Sequence, residues 1–333
     1  MNSASPVRYV KPKLTSYRFI ERSRCPACRS NNWTSLHRQS FGAPPVSTFI
    51  AAHYGVDAAV LGDAEYDLAE CQSCTLVFQR WIGDEELLSE IYGIWVHEHG
   101  LPTEETIYKT EIGHPLQSRD AHEIMTAASF LGVPLKELTT LDYGMGWALW
   151  ARIVRTLGCQ SFGNDIVQRR VEFAREHGVT PVTDEDLGTP RYHFINTEQV
   201  MEHLVDPAGV SELLAASLLP GGILKISVPS GERSRDLAIG LSKGRGGDFS
   251  DKLVPLHPLE HVNSFTGKSL HRLASKLGLK IVRPSLAKRY AFAFRRGTLS
   301  PRRPAKAFKE LIRPVYQWRN QANLYVWMRK PAA

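Results

Sequence analysis

The sequence predicts an α/β protein whose main element is a doubly wound, mostly parallel sheet of seven strands, preceded by a small β-rich zinc ribbon. After residue 138, apolar runs of strand length alternate with amphipathic runs of helix length, as in consecutive βαβ units. A glycine-rich turn follows the first of these strands. Two Cys-x-x-Cys pairs precede the alternating region and account for the predicted metal-binding ribbon.

Four segments are expected: a tail at 1–16, a zinc-binding domain with a connecting helix at 17–98, a linker at 99–117, and a second domain at 118–333. The second domain carries a basic insertion at 287–321 before its last strand. The seven strands of the sheet are predicted at 139–143, 161–165, 179–183, 192–197, 223–228, 279–282 and 324–328.

Composition and charge narrow the class of protein. The chain has 333 residues, of which 43% are hydrophobic and 23% charged, as in folded globular proteins. No run approaches the ~18 consecutive apolar residues of a membrane-spanning helix, and the N-terminus lacks the apolar core of a secretory signal. Reduced cysteines in a metal site are typical of a cytoplasmic protein, which is the location that we expect.

The net charge of +7 is concentrated at the two ends of the chain. Residues 288–333 contain twelve Lys or Arg and one acidic residue, and residues 1–24 contain six and one. Such a basic C-terminal segment can contact the phosphates of a nucleotide, a nucleic acid or an anionic membrane surface. The alternative is a solvated helix face without a ligand.

The cysteines form a metal-binding pattern. Cys25 and Cys28 make one pair, and Cys71 and Cys74 make a second. Four thiolates complete the tetrahedral coordination of zinc and leave no open position, so we expect a structural Zn²⁺ in a domain that lacks a core of its own. A redox pair or two unrelated pairs is the alternative. Cys159 is expected in the core of the second domain.

The glycine turn and the acidic residues near it favour a nucleoside ligand. Gly144 and Gly146 let the backbone approach a ligand where a Cβ would clash. Asp142 precedes the turn, and Asp165 ends the next predicted strand, where a carboxylate can accept both ribose hydroxyls. The spacing differs from the dinucleotide pattern Gly-x-Gly-x-x-Gly, and it favours a ligand with adenosine but without pyrophosphate. For the turn alone, a strand-to-helix connection without a ligand is the alternative.

These residues resemble the motifs of class I S-adenosylmethionine-dependent methyltransferases. The run from Asp142 to Gly146 is similar to the first motif of that family, and Asp165 is similar to its ribose-binding acid. The resemblance covers about 138–285 and implies a Rossmann-like sheet with S-adenosyl-L-methionine as cofactor. It also implies Asp184, with Asp186 in reserve, near the adenine amino group.

The stretch after the fourth predicted strand resembles the same family with one departure. Many relatives have Glu-x-x-Glu-His, whereas this chain has Gln199, Glu202 and His203 at those positions. The resemblance implies Gln199 as a cofactor-binding residue. In some quinone-type O-methyltransferases the acidic set is associated with magnesium. Because Gln199 removes a charge that a hard cation needs, we expect no catalytic metal.

The N-terminal part resembles the zinc domain fused to sugar C-methyltransferases of deoxysugar pathways. The resemblance rests on the two cysteine pairs, the run from Tyr66 to Gln79, and the run from Asp84 to Leu88. It implies a sugar or nucleotide-sugar as the small-molecule acceptor. Those relatives usually carry a further C-terminal α/β domain, which this sequence does not show, so both O- and C-methylation stay open.

Methyl transfer needs a group that removes a proton from the acceptor. Glu260 and His261 resemble the Glu-His pair of the sugar C-methyltransferases, which implies His261 as base and Glu260 as its orienting or substrate-binding partner. The alternative is that both satisfy local backbone groups. His203 is a second catalytic candidate, with helix capping as its alternative, and His257 is a third.

Two other functions remain as alternatives to methylation of a small molecule. A nucleic-acid (RNA) methyltransferase would use the zinc ribbon and the basic C-terminal segment. Acidic residues between the cysteine pairs disfavour nucleic acid as partner: Asp57, Asp63, Glu65, Asp67 and Glu70. The other alternative is a non-catalytic S-adenosylmethionine-binding module. A variant of the small-molecule function adds peripheral membrane contact through the basic segment, which would reach a lipid-linked sugar.

Overall fold

The computed structural model describes residues 17–96, 119–245, 251–290 and 323–332, with positions 308 and 312. The predicted tail at 1–16 and the predicted linker at 99–117 lie outside the described residues, as does most of the predicted basic insertion at 287–321.

The chain forms two compact units, each assembled from separate segments. The cysteine-bearing unit comprises the described residues of Met1–Thr103, Met201–Gly209 and Val228–Leu273. The sheet unit comprises the described residues of Glu104–Val200, Val210–Ser227 and Ala274–Ala333. Two segments that follow the fourth strand of the large sheet thus belong to the unit that contains the N-terminal part.

The strands are β1 Phe19–Glu21, β2 Trp33–Ser40, β3 Glu65–Cys71, β4 Val77–Gln79, β5 Trp81–Gly83, β6 Thr139–Tyr143, β7 Gln160–Asn164, β8 Thr180–Pro181, β9 Tyr192–Glu198, β10 Leu218–Pro229, β11 Asn263–Ser264, β12 Lys280–Val282 and β13 Asn323–Arg329. The α-helices are α1 Val46–Tyr54, α2 Glu85–Glu90, α3 Arg119–Leu131, α4 Leu149–Thr156, α5 Gln168–Glu176, α6 Pro207–Ser217, α7 Ser234–Ser242, α8 Gly267–Lys276 and α9 Leu286–Tyr290.

The sheet unit contains the seven-stranded sheet that the sequence predicts. Its strand order is β12-β13-β10-β9-β6-β7-β8. The pairs from β10 to β8 are parallel, and β12 pairs antiparallel with β13. β9 and β10 are buried along most of their length, as expected of strands that are covered on both faces. The doubly wound, mostly parallel fold is confirmed.

The order of the strands determines where a ligand can bind. From β6 the chain proceeds to β7 and β8 on one side of the sheet, and then returns to β9 on the other side of β6. Ligands of open α/β sheets bind at the carboxyl ends of the strands on either side of such a reversal. The turn after β6 lies at this place.

Aromatic side chains pack the core of the sheet unit. Trp150 of α4 stacks on Phe194 of β9 with ring centroids 6.0 Å apart, and Phe194 meets Trp327 of β13 edge-on at 5.3 Å. Val154, one helical turn after Trp150, is buried in the same cluster. Cys159 is also buried there, as expected. Each such side chain stabilises the fold by about 1.5–3 kcal/mol.

A buried ion pair joins the third helix to the sheet. Lys225 of β10 is 0% exposed, and its Nζ donates to Glu123 Oε2 at 3.1 Å and to Glu198 Oε2. Trp150 Nε1 donates to the same oxygen of Glu123 at 3.1 Å. Burial raises the pKa of Glu123, so the lysine is needed to hold that carboxylate in its charged form.

The cysteine-bearing unit is β-rich, but it also contains helices and a core. A four-stranded antiparallel sheet has the order β11-β4-β3-β2, and β1 pairs with β5. Helix α1 lies in a segment for which only β structure was expected, and it ends at Gly55 with φ 64°. The expectation that this domain lacks a core is wrong, because a large buried cluster includes Phe41, Ile50 and Trp95. Segments from later in the chain complete that cluster, among them α7.

Within the described residues, no helix combines the length and the hydropathy that crossing a membrane requires.

Candidate functional site

The turn after β6 is held in a backbone conformation that glycine favours. Gly144 has φ 72° and Gly146 has φ 54°. A Cβ on Gly144 would lie 2.5 Å from Cγ2 of Val200, so this position excludes a side chain on steric grounds as well. Ala148, the next small residue of the motif, is also left-handed, with φ 57°. The backbone N–H groups of Gly144 and Met145 both donate to the carbonyl of Asn164 at 2.9 Å.

Asp165 closes this turn from the end of β7. Its Oδ2 accepts from Gly146 N at 2.8 Å, and its Oδ1 accepts from Val167 N at 2.9 Å. Arg170 Nη1 lies 3.5 Å from Oδ2. The structure therefore brings two of the predicted cofactor-binding residues, Gly146 and Asp165, into direct contact. A carboxylate has about four acceptor positions, so the two backbone donors and Arg170 leave one position for a ligand hydroxyl.

The predicted adenine-binding acid, Asp184, and its reserve, Asp186, have different surroundings. Asp184 Oδ2 accepts from Tyr143 Oη at 3.4 Å, and Asp184 Oδ1 accepts from Asn164 Nδ2 at 3.4 Å, so Asp184 lies beside the ends of β6 and β7. Asp186 Oδ2 accepts from the N–H of Thr183 at 2.8 Å and from its hydroxyl at 3.2 Å, as in a capping box. The carboxylate of Asp186 is thus engaged within its own turn, which favours Asp184.

Asp142 and Gln199 lie at the ends of β6 and β9. Asp142 is only 3% exposed and accepts from Asn196 Nδ2 at 2.7 Å. Burial raises the pKa of Asp142 to about 7. Gln199 has φ 54°, and its backbone N–H donates to Ser227 O at 2.8 Å. Both residues are thus anchored to a neighbouring strand.

Sequence reasoning missed Ile166, whose side chain is 78% exposed directly after Asp165. This position makes the side chain available to a ligand bound at the carboxyl end of β7. The signal was present in the sequence as an apolar residue immediately after the acid that ends the strand.

The four cysteines converge in the cysteine-bearing unit. Their sulfur atoms all lie within 4.8 Å of one another, with Cys25 Sγ to Cys74 Sγ at 3.6 Å and Cys28 Sγ to Cys71 Sγ at 3.5 Å. Tetrahedral thiolates at ~2.3 Å from a zinc ion lie about 3.8 Å from one another. The cysteines are not disulfide-bonded. The donor set therefore fits a single zinc ion.

The two cysteine pairs lie on turns of the same construction. Arg29 N donates to Cys25 O at 2.9 Å, and Thr75 N donates to Cys71 O at 2.8 Å. Cys25 N and Cys71 N in turn donate to carbonyls five residues later, Ser30 O at 2.8 Å and Leu76 O at 2.9 Å. Arg29 and Thr75 both have φ near 64°, at 64° and 63°. This repeat orients two thiolates of each turn toward one point.

A cluster of histidines and glutamates forms a second centre in the cysteine-bearing unit. His261 Nδ1 donates to the carbonyl of Val254, and His203 Nδ1 donates to the carbonyl of Glu260 at 3.0 Å. Since a carbonyl can only accept, both Nδ1 atoms carry the proton, and both Nε2 atoms present a lone pair. The two rings meet edge-on with centroids 4.9 Å apart.

These histidines are neutral at physiological pH. Burial lowers the pKa of His203 and of His257 to about 4, and it also lowers the pKa of His261. Although burial opposes it, the hydrogen bond that Glu260 accepts from His53 lowers the pKa of Glu260 to about 2. The cluster thus combines a fixed carboxylate with unprotonated imidazoles.

The carboxylate of Glu260 contacts residues other than His261. His53 Nε2 donates to Glu260 Oε2 at 3.1 Å, and Tyr54 Oη lies 3.1 Å from the same oxygen. Among the described contacts, it is the carbonyl of Val254 that orients the ring of His261. Two sets of three residues have metal-ligating atoms close together, and within each set these atoms lie within 4.8 Å of one another. One set is His53, His257 and Glu260, and the other is Glu202, His203 and His261.

Comparison with known proteins identifies a region that contains most of the sheet unit and the two later segments of the cysteine-bearing unit. A family model described as a methyltransferase domain matches residues 116–283. Ubiquinone biosynthesis O-methyltransferase of Bordetella bronchiseptica is 30% identical over 93 residues, which cover 25% of this chain and 39% of that protein. The enzyme of the same name from Caulobacter vibrioides is 30% identical over 105 residues, which cover 28% and 42%. The chain thus spans about two-fifths of the length of these relatives.

Two solved methyltransferase structures match parts of the chain with TM-scores below 0.5. The plantazolicin methyltransferase BpumL, in complex with a monoazolic desmethylPZN analogue and SAH, is 14% identical and covers 74% of this chain and 94% of its own, with a TM-score of 0.45. An S-adenosylmethionine-dependent methyltransferase of Mesorhizobium loti is 16% identical and covers 66% and 99%, with a TM-score of 0.40. The family model matches half of the chain and includes the glycine turn, Asp165 and Asp184. The chain therefore belongs to the family of S-adenosylmethionine-dependent methyltransferases.

Proposed function

We propose that the protein transfers the methyl group of S-adenosylmethionine to a small-molecule acceptor, a sugar or nucleotide-sugar, at a hydroxyl oxygen or an enolisable carbon. One observation carries this proposal: the glycine turn after β6 is closed onto Asp165, at the reversal point of the seven-stranded sheet. S-adenosylmethionine supplies an electron-poor methyl group that a nucleophile displaces from sulfur.

The residues at the reversal point have the chemistry that the cofactor requires. Asp165 accepts from a ribose hydroxyl, the exposed side chain of Ile166 contacts the adenine face, and Asp184 accepts from the adenine amino group. The turn from Gly144 to Gly146 is proposed to face the amino-acid part of the cofactor at Gly146, because the space beside Gly144 is filled by Val200. Asp142 and Gln199 complete the proposed cofactor-binding set and act from the ends of β6 and β9.

His261 is proposed as the base. Its Nε2 has a free lone pair because its Nδ1–H is held by Val254 O, and its lowered pKa keeps the ring unprotonated near pH 7. His261 Nε2 would take the proton of the acceptor, and bound S-adenosylmethionine would supply the methyl group that replaces it on the acceptor. Glu260 is proposed to bind the acceptor. His203 is the second candidate for the base, with the same orientation of its ring nitrogens.

A structural zinc ion is proposed for the four cysteines. The support is the tetrahedral spacing of the sulfur atoms and the repeated turn around each pair. Bound zinc would fix the amino end of β2 to the end of β3, since the pairs flank these strands. Such an ion contributes to folding and not to methyl transfer.

Two lines of support bear on the acceptor. The curated relatives are O-methyltransferases of ubiquinone biosynthesis, which favours transfer to oxygen. The resemblance of the N-terminal part to sugar C-methyltransferases favours a sugar. Methylation of RNA depends on the basic C-terminal segment, most of which lies outside the described residues, and no described contact favours it.

The experiment uses purified full-length protein and measures release of S-adenosylhomocysteine with nucleotide-sugars and with hydroxylated aromatic compounds. We expect His261→Ala to lower turnover by roughly 10²–10⁴-fold while the dissociation constant of S-adenosylmethionine is unchanged. His271→Ala, at an exposed histidine, is the matched control and should leave turnover unchanged. Unchanged turnover in His261→Ala would remove His261 from the mechanism, and absence of cofactor binding in folded protein would refute the function.

A further inference from the structure

We propose that His53, His257 and Glu260 form a binding site for a divalent first-row transition-metal ion, separate from the four-cysteine set. His53 belongs to helix α1, and the other two residues belong to the loop that precedes β11. All three lie in the cysteine-bearing unit. The proposal goes beyond methyl transfer, because it concerns a metal site that the described reaction does not require.

The donor atoms already have the spacing of a metal site. His53 Nε2 and Glu260 Oε2 are 3.1 Å apart, joined by the hydrogen bond that His53 donates, and the donor atoms of all three residues lie within 4.8 Å of one another. A metal ion would displace the proton from His53 Nε2 and take its place between the two atoms. Ligands at ~2.1 Å around a tetrahedral ion lie about 3.4 Å from one another. The His53–Glu260 distance is close to this spacing, and the donor atom of His257 lies within 4.8 Å of both.

His257 has a polar atom that the described residues leave without a partner. Its Nε2 is buried and has no hydrogen-bond partner in the described part of the chain. Such an atom costs about 1–3 kcal/mol when it is left unsatisfied. A metal ion at the position that His53 and Glu260 flank would satisfy it.

The side chains around the set hold the ligands in place. The ring of Phe49 stacks on His53 with centroids 4.8 Å apart and contacts His257 at 4.7 Å. Tyr54 Oη donates to Pro258 O at 2.8 Å and lies 3.1 Å from Glu260 Oε2. Partners of this kind orient the ligands of metal sites. The side chain of His53 is 30% exposed, which leaves a path for an ion to enter.

The ligand types identify the class of ion. Two imidazoles and one carboxylate suit zinc, cobalt, nickel and iron, whereas magnesium and calcium prefer sites built of oxygen. Three protein ligands leave a fourth position for water or for an oxygen of a bound compound. The ring of His257 stacks on that of His261 with centroids 5.4 Å apart, so an ion here would lie next to the proposed base.

The test is a titration of metal-free protein with Co²⁺ in the absence of methyl donor and acceptor. We expect wild-type protein to bind one Co²⁺ more than His257→Gln and one more than His53→Ala. The Co²⁺ spectrum of wild type minus that of either variant should show weak visible bands from nitrogen and oxygen ligands. The bands from the thiolates of the four-cysteine set should be the same in all three proteins. His271→Ala is the control and should bind as much Co²⁺ as wild type does.

Thermal melting of the metal-free proteins verifies that each variant is folded, and the half-buried His53 provides a second variant outside the tightly packed loop. Equal Co²⁺ uptake by wild type and both variants would refute the site. Loss of the ion in His203→Ala but not in His257→Gln would also refute it, since the ion would then belong to the other donor set. Binding of S-adenosylmethionine, measured separately, reports on the proposed function and not on this site.

Discussion

Replacing Asp165 by Asn separates two roles of this carboxylate. Asp165 orders the glycine turn through Gly146 N, and it is proposed to accept from a ribose hydroxyl of the cofactor. The substitution leaves one acceptor oxygen and exchanges the other for an NH₂ donor. A hydrogen bond to a charged group contributes about 1.5–3 kcal/mol. Loss of one such bond weakens binding by roughly 10- to 150-fold, at about 1.4 kcal/mol per tenfold change.

The assay is calorimetric binding of S-adenosylhomocysteine and of its 2′,3′-dideoxy analogue to wild-type protein and to Asp165→Asn. We expect the analogue to bind much more weakly than S-adenosylhomocysteine to wild type, and nearly as well as S-adenosylhomocysteine to the variant. Asp186→Asn is the matched control, because Asp186 is hydrogen-bonded within its own turn, and its affinity should be close to that of wild type. If Asp165→Asn weakens both ligands equally, Asp165 acts only on the turn, and the assignment of the ribose is wrong.

Three further predictions concern stability. Asp142→Asn should be more stable than wild type at pH 8 but not at pH 4, which urea unfolding at both pH values will show. The pKa of Asp142 in the fold, about 7, lies above that of an unfolded aspartate. The contribution of Asp142 to the free energy of unfolding is therefore complete below about pH 4 and is lost as the pH rises through 7. Lys225→Met should lower the free energy of unfolding by about 3–5 kcal/mol because it leaves the charge of the buried Glu123 without a partner lysine. Adding Glu123→Gln should recover much of that loss. If the single variant is as stable as wild type in urea, the ion pair does not support the fold. Cys71→Ser should contain about one zinc ion per chain less than wild type by elemental analysis, and it should melt at a lower temperature. Wild-type protein treated with a chelator should also melt at a lower temperature. Unchanged zinc content in the variant would contradict the four-cysteine site.

The elements of the sheet unit could be predicted because they are encoded locally. Strand β6, for example, begins and ends where the sequence analysis placed it, since a short run with β-branched and aromatic residues that stops at Gly144 favours a strand. The same holds for Asp165, because the carboxyl ends of adjacent parallel strands meet at one edge of the sheet. The zinc ion and the sugar acceptor stay predictions.

Other features depend on contacts between distant parts of the chain. Helix α1 has no sequence signal strong enough to separate it from the surrounding strands, and it becomes ordered by packing in a core that α7 completes. The role of Val254 in orienting His261 could not be predicted from a motif either. The group involved is a backbone carbonyl, which every residue type has.

The sequence alone was therefore enough to infer the parallel sheet, the glycine turn, the acid at the end of β7 and the convergence of two cysteine pairs. These features follow from the periodicity of apolar residues and from the spacing of residues that are close together in the sequence. The histidine cluster required the folded chain. His53 and Glu260 are separated by 207 positions, and only the packing of α1 beside the loop before β11 brings Nε2 within 3.1 Å of the carboxylate. Burial of apolar surface drives the association of helices and loops, and it does not depend on how far apart they are in the sequence. Tertiary packing can therefore bring together residues that no local pattern connects.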